Sequence, residues 1–233
     1  MPKVSVVVPV WNGARTVARA LASIFAQSHR DYEIVVVDDG STDDTRAILA
    51  AHLDRIRLVS QPNRGVSAAR NAGVRASGSE YIAFLDDDDE WMPDKLARCV
   101  PVLDQDPDCA LVYNDVFKID LSGRPMPNQD PQTLGIDSPT LAQMLTRPWN
   151  VVPSQLIVRR EVFDRCGADV RDAPAVTFDG DFLLKTRKGG AAINLRQRAV
   201  DEPPGRGRDG NDENGEDPEK DLKNGPQVYS HAI

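Results

Sequence analysis

The hydrophobic positions of the first hundred residues form short, nearly continuous runs separated by amphipathic segments. Val4-Ser5-Val6-Val7-Val8 is β-branched and almost unbroken, the pattern of a strand buried on both faces of a parallel sheet. Pro9 has no amide hydrogen and is expected to end that ladder. Val17, Leu21, Ile24 and Phe25 then recur at helical spacing. A second run over 32–37 stops at Asp38-Asp39-Gly40-Ser41, where Ser41 is placed to cap a second helix, with Asp43 and Asp44 near its positive end. Residues 56–59 make a short third strand. The Ala-rich segment 66–76 predicts a helix that packs closely on the sheet. A fourth run, Tyr81-Ile82-Ala83-Phe84-Leu85, breaks off in Asp86-Asp87-Asp88-Asp89.

Strand and helix alternating in this rhythm predict βαβ units and a parallel sheet with right-handed crossovers. Ligands of such sheets bind beyond the carboxyl ends of the strands. Three strands end in chemically suggestive groups: residues 9–12, Asp38-Asp39, and Asp86–Asp89. All three are expected on one rim. Four adjacent carboxylates repel one another unless a cation sits among them, and hard oxygen donors suit Mg²⁺ or Mn²⁺. A polar turn ending a strand accounts for the aspartates alone, but not for three such ends on one edge.

Beyond Trp91 the pattern loosens. Helices are expected over 95–103, 138–145, 160–165 and 182–187, and strands over 110–114, 116–119 and 151–158, with a Pro- and Gly-rich loop over 121–139. From Asp201 onward apolar residues nearly vanish, predicting disorder. Nine acidic and four basic residues there supply −5 of the chain's net charge of −8. That acidity argues against a nucleic-acid surface. Three cysteines (Cys99, Cys109, Cys166) without a C-x-x-C pair favour a reducing, cytoplasmic compartment. No run approaches the ~20 apolar residues that span a bilayer, which leaves peripheral contact at the inner face of the membrane open.

Several chemistries fail for want of parts. The turn Pro9-Val10-Trp11-Asn12-Gly13 offers one glycine where a dinucleotide fold needs a glycine-rich loop. There is no G-x-x-x-x-G-K-[ST] and no G-x-S-x-G, and His29, His52 and His231 accompany no nucleophile.

Four motifs in order do fit one family: VSVVVPVWN (4–12), IVVVDDGST (34–42), RGVSAARNAG (64–73) and GSEYIAFLDDDDEW (78–91). Together they resemble the family 2 glycosyltransferases. The resemblance implies an α/β, GT-A (Rossmann-like) fold over 1–196, a mostly parallel sheet flanked by helices; the disordered acidic C-terminal tail expected over 197–233 departs from the family, whose members usually continue there with structured segments that help bind the acceptor. Within it, 1–105 would bind the nucleotide sugar and 106–196 the acceptor. It implies an inverting, metal-dependent transfer from a nucleotide-diphosphate sugar, UDP-sugar foremost, to a glycan, polysaccharide or lipid-linked acceptor.

The resemblance also distributes roles. Pro9, Trp11 and Asn12 would border the base, although Trp11 also fits as a core aromatic at a strand end. Asp39 would accept hydrogen bonds from the base with Asp38 beside it, and both also fit as helix-capping groups with Ser41. Arg64, Arg70 and Asn71 would face the nucleotide or its phosphates, and Arg70 alternatively is a solvated helix residue. Asp86, Asp87 and Asp88 would form a D-x-D-type site, with Asp86 and Asp88 holding Mn²⁺ or Mg²⁺, while Asp89 and Trp91 shape the loop. The general base would be Asp179, for which a surface-loop carboxylate is the alternative. Its segment reads Phe178-Asp179-Gly180-Asp181 where the family has Glu-Asp-aromatic-Asp. That departure keeps a second reading open: an inactive nucleotide-sugar-binding protein, or a shortened glycosyltransferase.

Overall fold

A computed structural model of the chain describes residues 1–114, 116–120, 124, 126, 153–165, 197–200 and 230–232. Four strands and three helices alternate first: β1 (Val4–Val10), α1 (Val17–Phe25), β2 (Tyr32–Asp38), α2 (Thr45–Ala50), β3 (Arg57–Ser60), α3 (Val66–Ala76) and β4 (Tyr81–Phe84). They are followed by α4 (Lys95–Gln105), β5 (Leu111–Asn114), β6 (Phe117–Ile119), a 3₁₀ turn (Pro153–Gln155), β7 (Leu156–Arg159), α5 (Arg160–Arg165), β8 (Gln197–Val200) and β9 (Ser230–Ala232).

Seven strands form one sheet in the order β3-β2-β1-β4-β7-β5-β8, and β6 pairs with β9 separately. The β3-β2-β1-β4 ladder is parallel throughout. β7 enters antiparallel between β4 and β5, and β8 runs parallel to β5. The sheet is therefore mixed but mostly parallel. β8 and β9 lie in the stretch expected as a tail; their pairing is made by main chain, which composition does not report.

Alternation along β1 divides the core. Val4, Val6, Val8 and Val10 pack with Val17, Leu21 and Ile24 of α1 and with Leu96, Val100 and Leu103 of α4. Val7 faces the opposite side, in a cluster with Val74 of α3, Ile82 and Phe84 of β4, and Phe163 of α5. Both faces are thus covered by helices, which is why the strands read as continuous apolar runs.

α3 packs tightly on the sheet at Gly73. A Cβ there would stand 2.2 Å from Val7 Cγ1 and 3.3 Å from Val37 Cγ2. Gly73→Ala is expected to lower stability by about 1–3 kcal/mol through overpacking, read as a fall in the urea midpoint.

Three sequence expectations are corrected. Pro9 does not end the ladder, since β1 runs on to Val10 with Pro9 opposite Val37. Val7 O accepts Leu85 N on the β4 side and Val10 O accepts Asp39 N on the β2 side. Alternation turns the amide position of Pro9 toward β4, whose pairing with β1 ends at Phe84, so no hydrogen bond is lost there. Ser41 does not cap α2, which starts at Thr45; the carboxylate of Asp43 takes the Thr45 amide instead, at 3.1 Å. The strand expected over 151–158 begins only at Leu156, because Pro153–Gln155 form a 3₁₀ turn. The segments expected as helices over 138–145 and 182–187, and residues 201–229 of the tail, lie outside the described residues.

Candidate functional site

The carboxyl ends of β1, β2 and β4 meet on one rim through named bonds. Asn12, the one non-glycine described residue with positive φ (55°), sits where β1 turns away, a conformation that asparagine tolerates better than most residues. Its amide donates to Ser41 Oγ at 3.0 Å, and its Oδ1 accepts the Thr42 amide at 2.8 Å. The loops after β1 and β2 are thereby tied together. Trp11, beside it, is 56% exposed. It is not a core aromatic: its indole stands on the rim with a free surface for a planar ring. Pro9 lies one turn of the ladder deeper, inside β1.

Asp38 and Asp39 are both buried but serve different loops. Asp38 accepts the Ser41 amide at 2.8 Å and Arg46 Nε at 2.6 Å. Burial works to raise its pKa and is outweighed by the hydrogen bonds from Ser41 and Arg46, so the carboxyl titrates below its ordinary value. Asp39 holds the segment that opens α3. It accepts Gln61 Nε2 at 2.6 Å, the Arg64 amide at 3.0 Å and the Gly65 amide at 2.8 Å. Gly65 has φ 85°, which favours glycine. The group expected to meet the base is therefore already the anchor of the loop that borders it. Arg64 places its side chain in solvent above that anchor, and Asn71 lies half-buried on α3.

The aspartates diverge in role. Asp86 is paired with Arg70, whose Nη2 lies 2.7 and 2.9 Å from its two carboxylate oxygens. Arg70 is 7% exposed. It is thus not a solvated helix residue, and its guanidinium is directed at a carboxylate. Asp87 turns toward the loop between β1 and α1: its Oδ2 accepts Thr16 Oγ1 at 3.3 Å and would lie 2.1 Å from a Cβ on Gly13. Only glycine at position 13 leaves that approach open. Burial, then the charges of Asp88 and Asp86, push the Asp87 carboxyl up to about 7. Burial and the charge of Asp86 push Asp88 up to about 6.

Arg70 balances Asp86, while Asp87 and Asp88 crowd beside it, and the oxygens of all three are the hard donors that Mg²⁺ or Mn²⁺ prefer. Among the described residues no three His, Cys, Asp or Glu side chains converge as a ligand set. The arrangement fits a cation held by one or two carboxylates together with ligand phosphates, the usual way Mg²⁺ is bound.

Sequence reading missed the floor of this rim. Lys95, Asn114, Ser154 and Gln155 bond to one another beneath the aspartate loop. Ser154 Oγ accepts the Asp86 amide at 3.0 Å, and its carbonyl accepts the Trp91 indole N–H at 3.1 Å. Trp91 and Asp89 are buried, as loop-shaping residues should be. A lysine at the start of an amphipathic helix gave no signal that it would be buried. Asp179, Phe178, Gly180 and Asp181 lie outside the described residues.

The family model for glycosyl transferase family 2 matches residues 5–167. The chain belongs to glycosyl transferase family 2. Among curated relatives of this family 2 chain, an uncharacterized glycosyltransferase of Nostoc sp. is 38% identical over 170 residues, covering 70% of this chain and 52% of the relative. The succinoglycan biosynthesis protein ExoO of Rhizobium meliloti is 46% identical over 102 residues, 43% of this chain and 29% of that protein. The chain spans about half the length of the Nostoc relative and less of ExoO.

Two solved structures share the fold. S. aureus TarS 1–349 in complex with UDP-GlcNAc has a TM-score of 0.61 at 22% identity, over 86% of this chain and 56% of that one. The mannosyltransferase PcManGT from Pyrobaculum calidifontis, in complex with GDP-Man and Mn²⁺, has a TM-score of 0.58 at 23% identity, over 87% and 55%. Among the described residues no helix is long and apolar enough to cross a membrane.

Proposed function

We propose that this family 2 chain binds a nucleotide-diphosphate sugar, a UDP-sugar foremost, on the rim described above and transfers the sugar with inversion to a glycan, polysaccharide or lipid-linked acceptor. One observation carries the reading: the exposed Trp11, the Asp39-anchored loop and the aspartates after β4 all stand at the carboxyl ends of adjacent parallel strands. That is where open α/β sheets bind ligands. Fold relatives in complex with UDP-GlcNAc and with GDP-Man and Mn²⁺ support the donor class.

In this reading Trp11 stacks on the base between Pro9 and Asn12. Asp39 and the main chain of Arg64 and Gly65 border it, with Asp38, Arg64 and Asn71 alongside. Arg70 fixes the orientation of Asp86. Asp86 and Asp88 would hold Mn²⁺ or Mg²⁺, with Asp87 behind them; such a cation neutralises negative charge on a departing diphosphate. Asp179 is proposed as general base, taking the proton of the acceptor hydroxyl as its oxygen bonds to the anomeric carbon and the bond to the diphosphate oxygen breaks. The chain would work in the cytoplasm, meeting the inner face of the membrane where its acceptor is lipid-linked.

The altered segment Phe178-Asp179-Gly180-Asp181 favours a second reading, a protein that binds the donor and transfers nothing. Calorimetry of UDP with and without Mn²⁺, run beside donor turnover against an acceptor panel, separates the two. Transfer supports the first reading, and Mn²⁺-dependent binding without any turnover supports the second. Failure to bind UDP, dTDP or GDP sinks both. If the chain transfers, Asp179→Asn is expected to leave UDP affinity unchanged and to lower kcat by about 10²–10⁴-fold, the range of general-base catalysis. Normal turnover by that variant would remove Asp179 from the mechanism.

A further inference from the structure

Lys95 is 5% exposed, at the first position of α4, and no feature of the helix requires a charge there. A buried ammonium is costly unless every N–H finds an acceptor, and a Met or Leu of similar bulk fills such a place without that requirement. Here all three donors are used. Lys95 Nζ donates to Asn114 Oδ1 at the end of β5, to Ser154 O at 3.1 Å and to Gln155 O at 3.1 Å. The same nitrogen lies 5.1 Å from the centroid of the Trp91 ring. Gln155 Nε2 closes the group onto Asn114 O at 2.8 Å.

The acceptors matter for what else they hold. Ser154 is fully buried, and its hydroxyl receives the amide of Asp86, the first residue of the aspartate loop. Its carbonyl, shared with Lys95, also receives the indole N–H of Trp91, just past the loop's end. Both ends of the segment 86–91 therefore rest on one residue from a distant part of the chain. Lys95 sets the position of that residue's carbonyl. Its neighbour Asp86 is in turn oriented by Arg70.

We propose that Lys95, acting through Ser154, is a positioning residue that fixes the main chain of the aspartate loop and so presets its carboxylates for a cation and the diphosphate of the donor. The inference rests on the donor-site reading for what the loop binds, but not for the positioning itself. The ammonium acts as a three-way connector: it joins α4, the end of β5 and the turn before β7, and the turn carries the connection to Asp86 and Trp91.

Two measurements on the full chain test this. Amide hydrogen exchange without metal or nucleotide reads the positioning directly. In Lys95→Met, and to a lesser degree in Ser154→Ala, exchange across 86–91 is expected to quicken by about tenfold or more, the cost of one or two hydrogen bonds, while peptides of β1 and β2 keep their protection. Lys95→Arg, which retains charge and donors, is expected to recover part of that protection. Calorimetry then reads the consequence: in Ser154→Ala the gain in UDP affinity produced by Mn²⁺ shrinks by about tenfold, one hydrogen bond's worth, while metal-free affinity stays within about twofold.

Equal quickening of exchange over the whole sheet would make Lys95 an ordinary core residue and overturn the proposal. So would a Ser154→Ala protein with unchanged protection at 86–91 or with the full Mn²⁺ gain. If Lys95→Met does not fold, Lys95→Arg decides with Ser154→Ala: quickening confined to 86–91 in both supports the proposal, and unchanged protection there in either overturns it. If the unaltered chain gains nothing from Mn²⁺, the donor-site reading fails, and the exchange data still settle the positioning.

Discussion

Asp88→Ala is expected to remove the Mn²⁺-dependent part of UDP binding, by about 100-fold in affinity or more, while leaving the chain folded. Outer-shell changes at metal sites already cost about 10–100-fold, and Asp88 is proposed as a direct ligand. Of the two proposed ligands it is the clearer one to test, because its neighbours, the co-ligand Asp86 included, are already engaged. Asp86 shares its carboxylate with Arg70, Asp87 turns toward Thr16 and Gly13 in the loop after β1, and Asp89 is buried. Among the described residues no hydrogen-bonding side chain holds Asp88, and burial with the charge of Asp86 pushes its carboxyl up to about 6. Substitution also removes a like charge from a crowded loop, so the metal-free thermal midpoint is expected to stay level or rise. Calorimetry with and without Mn²⁺, with a melting curve beside it, reads both effects. An unchanged Mn²⁺ gain would exclude Asp88 as a ligand, and a collapsed melting curve would make the residue structural.

Asp39→Ala acts on the fold first and on binding second. Asp39 is 2% exposed and collects two main-chain amides and the Gln61 amide. Bonds to a charged acceptor contribute about 1.5–3 kcal/mol each, and orphaned buried donors cost about 1–3 kcal/mol. Not all of these add, because Gln61 and Arg64 lie near solvent and recover water. A loss of about 3 kcal/mol is expected from denaturant unfolding. Asp39→Asn is expected to lose less, about 2 kcal/mol, because its oxygen still accepts while its NH₂ faces a donor. Both variants should loosen the 61–65 loop and lower UDP affinity. An Asp39→Ala chain as stable as the parent would mean that the loop is held elsewhere.

The parallel half of the sheet was legible because burial on both faces of β1, β2 and β4 writes itself as unbroken apolar runs, while the edge strand β3, Arg57–Ser60, is short and only partly covered. The convergence of three strand ends was legible from topology alone. What the residues then touch was not. A one-dimensional pattern cannot tell that Asp39 faces the amides of Arg64 and Gly65 in the loop that opens α3, that Arg70 points inward at Asp86, or that Pro9 sits where the neighbouring strand has already ended. The floor of the rim was hidden for a stronger reason: Lys95 meets Ser154 across 59 residues and Asp86 meets Ser154 across 68. No local periodicity reports a contact of that span.

The antiparallel insertion of β7 has a consequence for how the sheet comes together in time. Ile82 of β4 pairs with Val158 of β7, which lies 158 − 82 = 76 residues later in the chain. The loop-closure cost of that pairing must be met before it returns any contact energy, as must that of β1 with β4, where Val7 pairs Phe84 84 − 7 = 77 residues on, whereas Val4 of β1 meets Tyr32 of β2 over only 32 − 4 = 28. During synthesis the apolar segment Tyr81–Phe84 therefore emerges with one edge already paired to β1 and the other open until residue 159 has left the ribosome. An open apolar edge of that kind is a template for pairing with a second chain. Folding yield, more than final stability, should thus depend on how quickly β7 arrives.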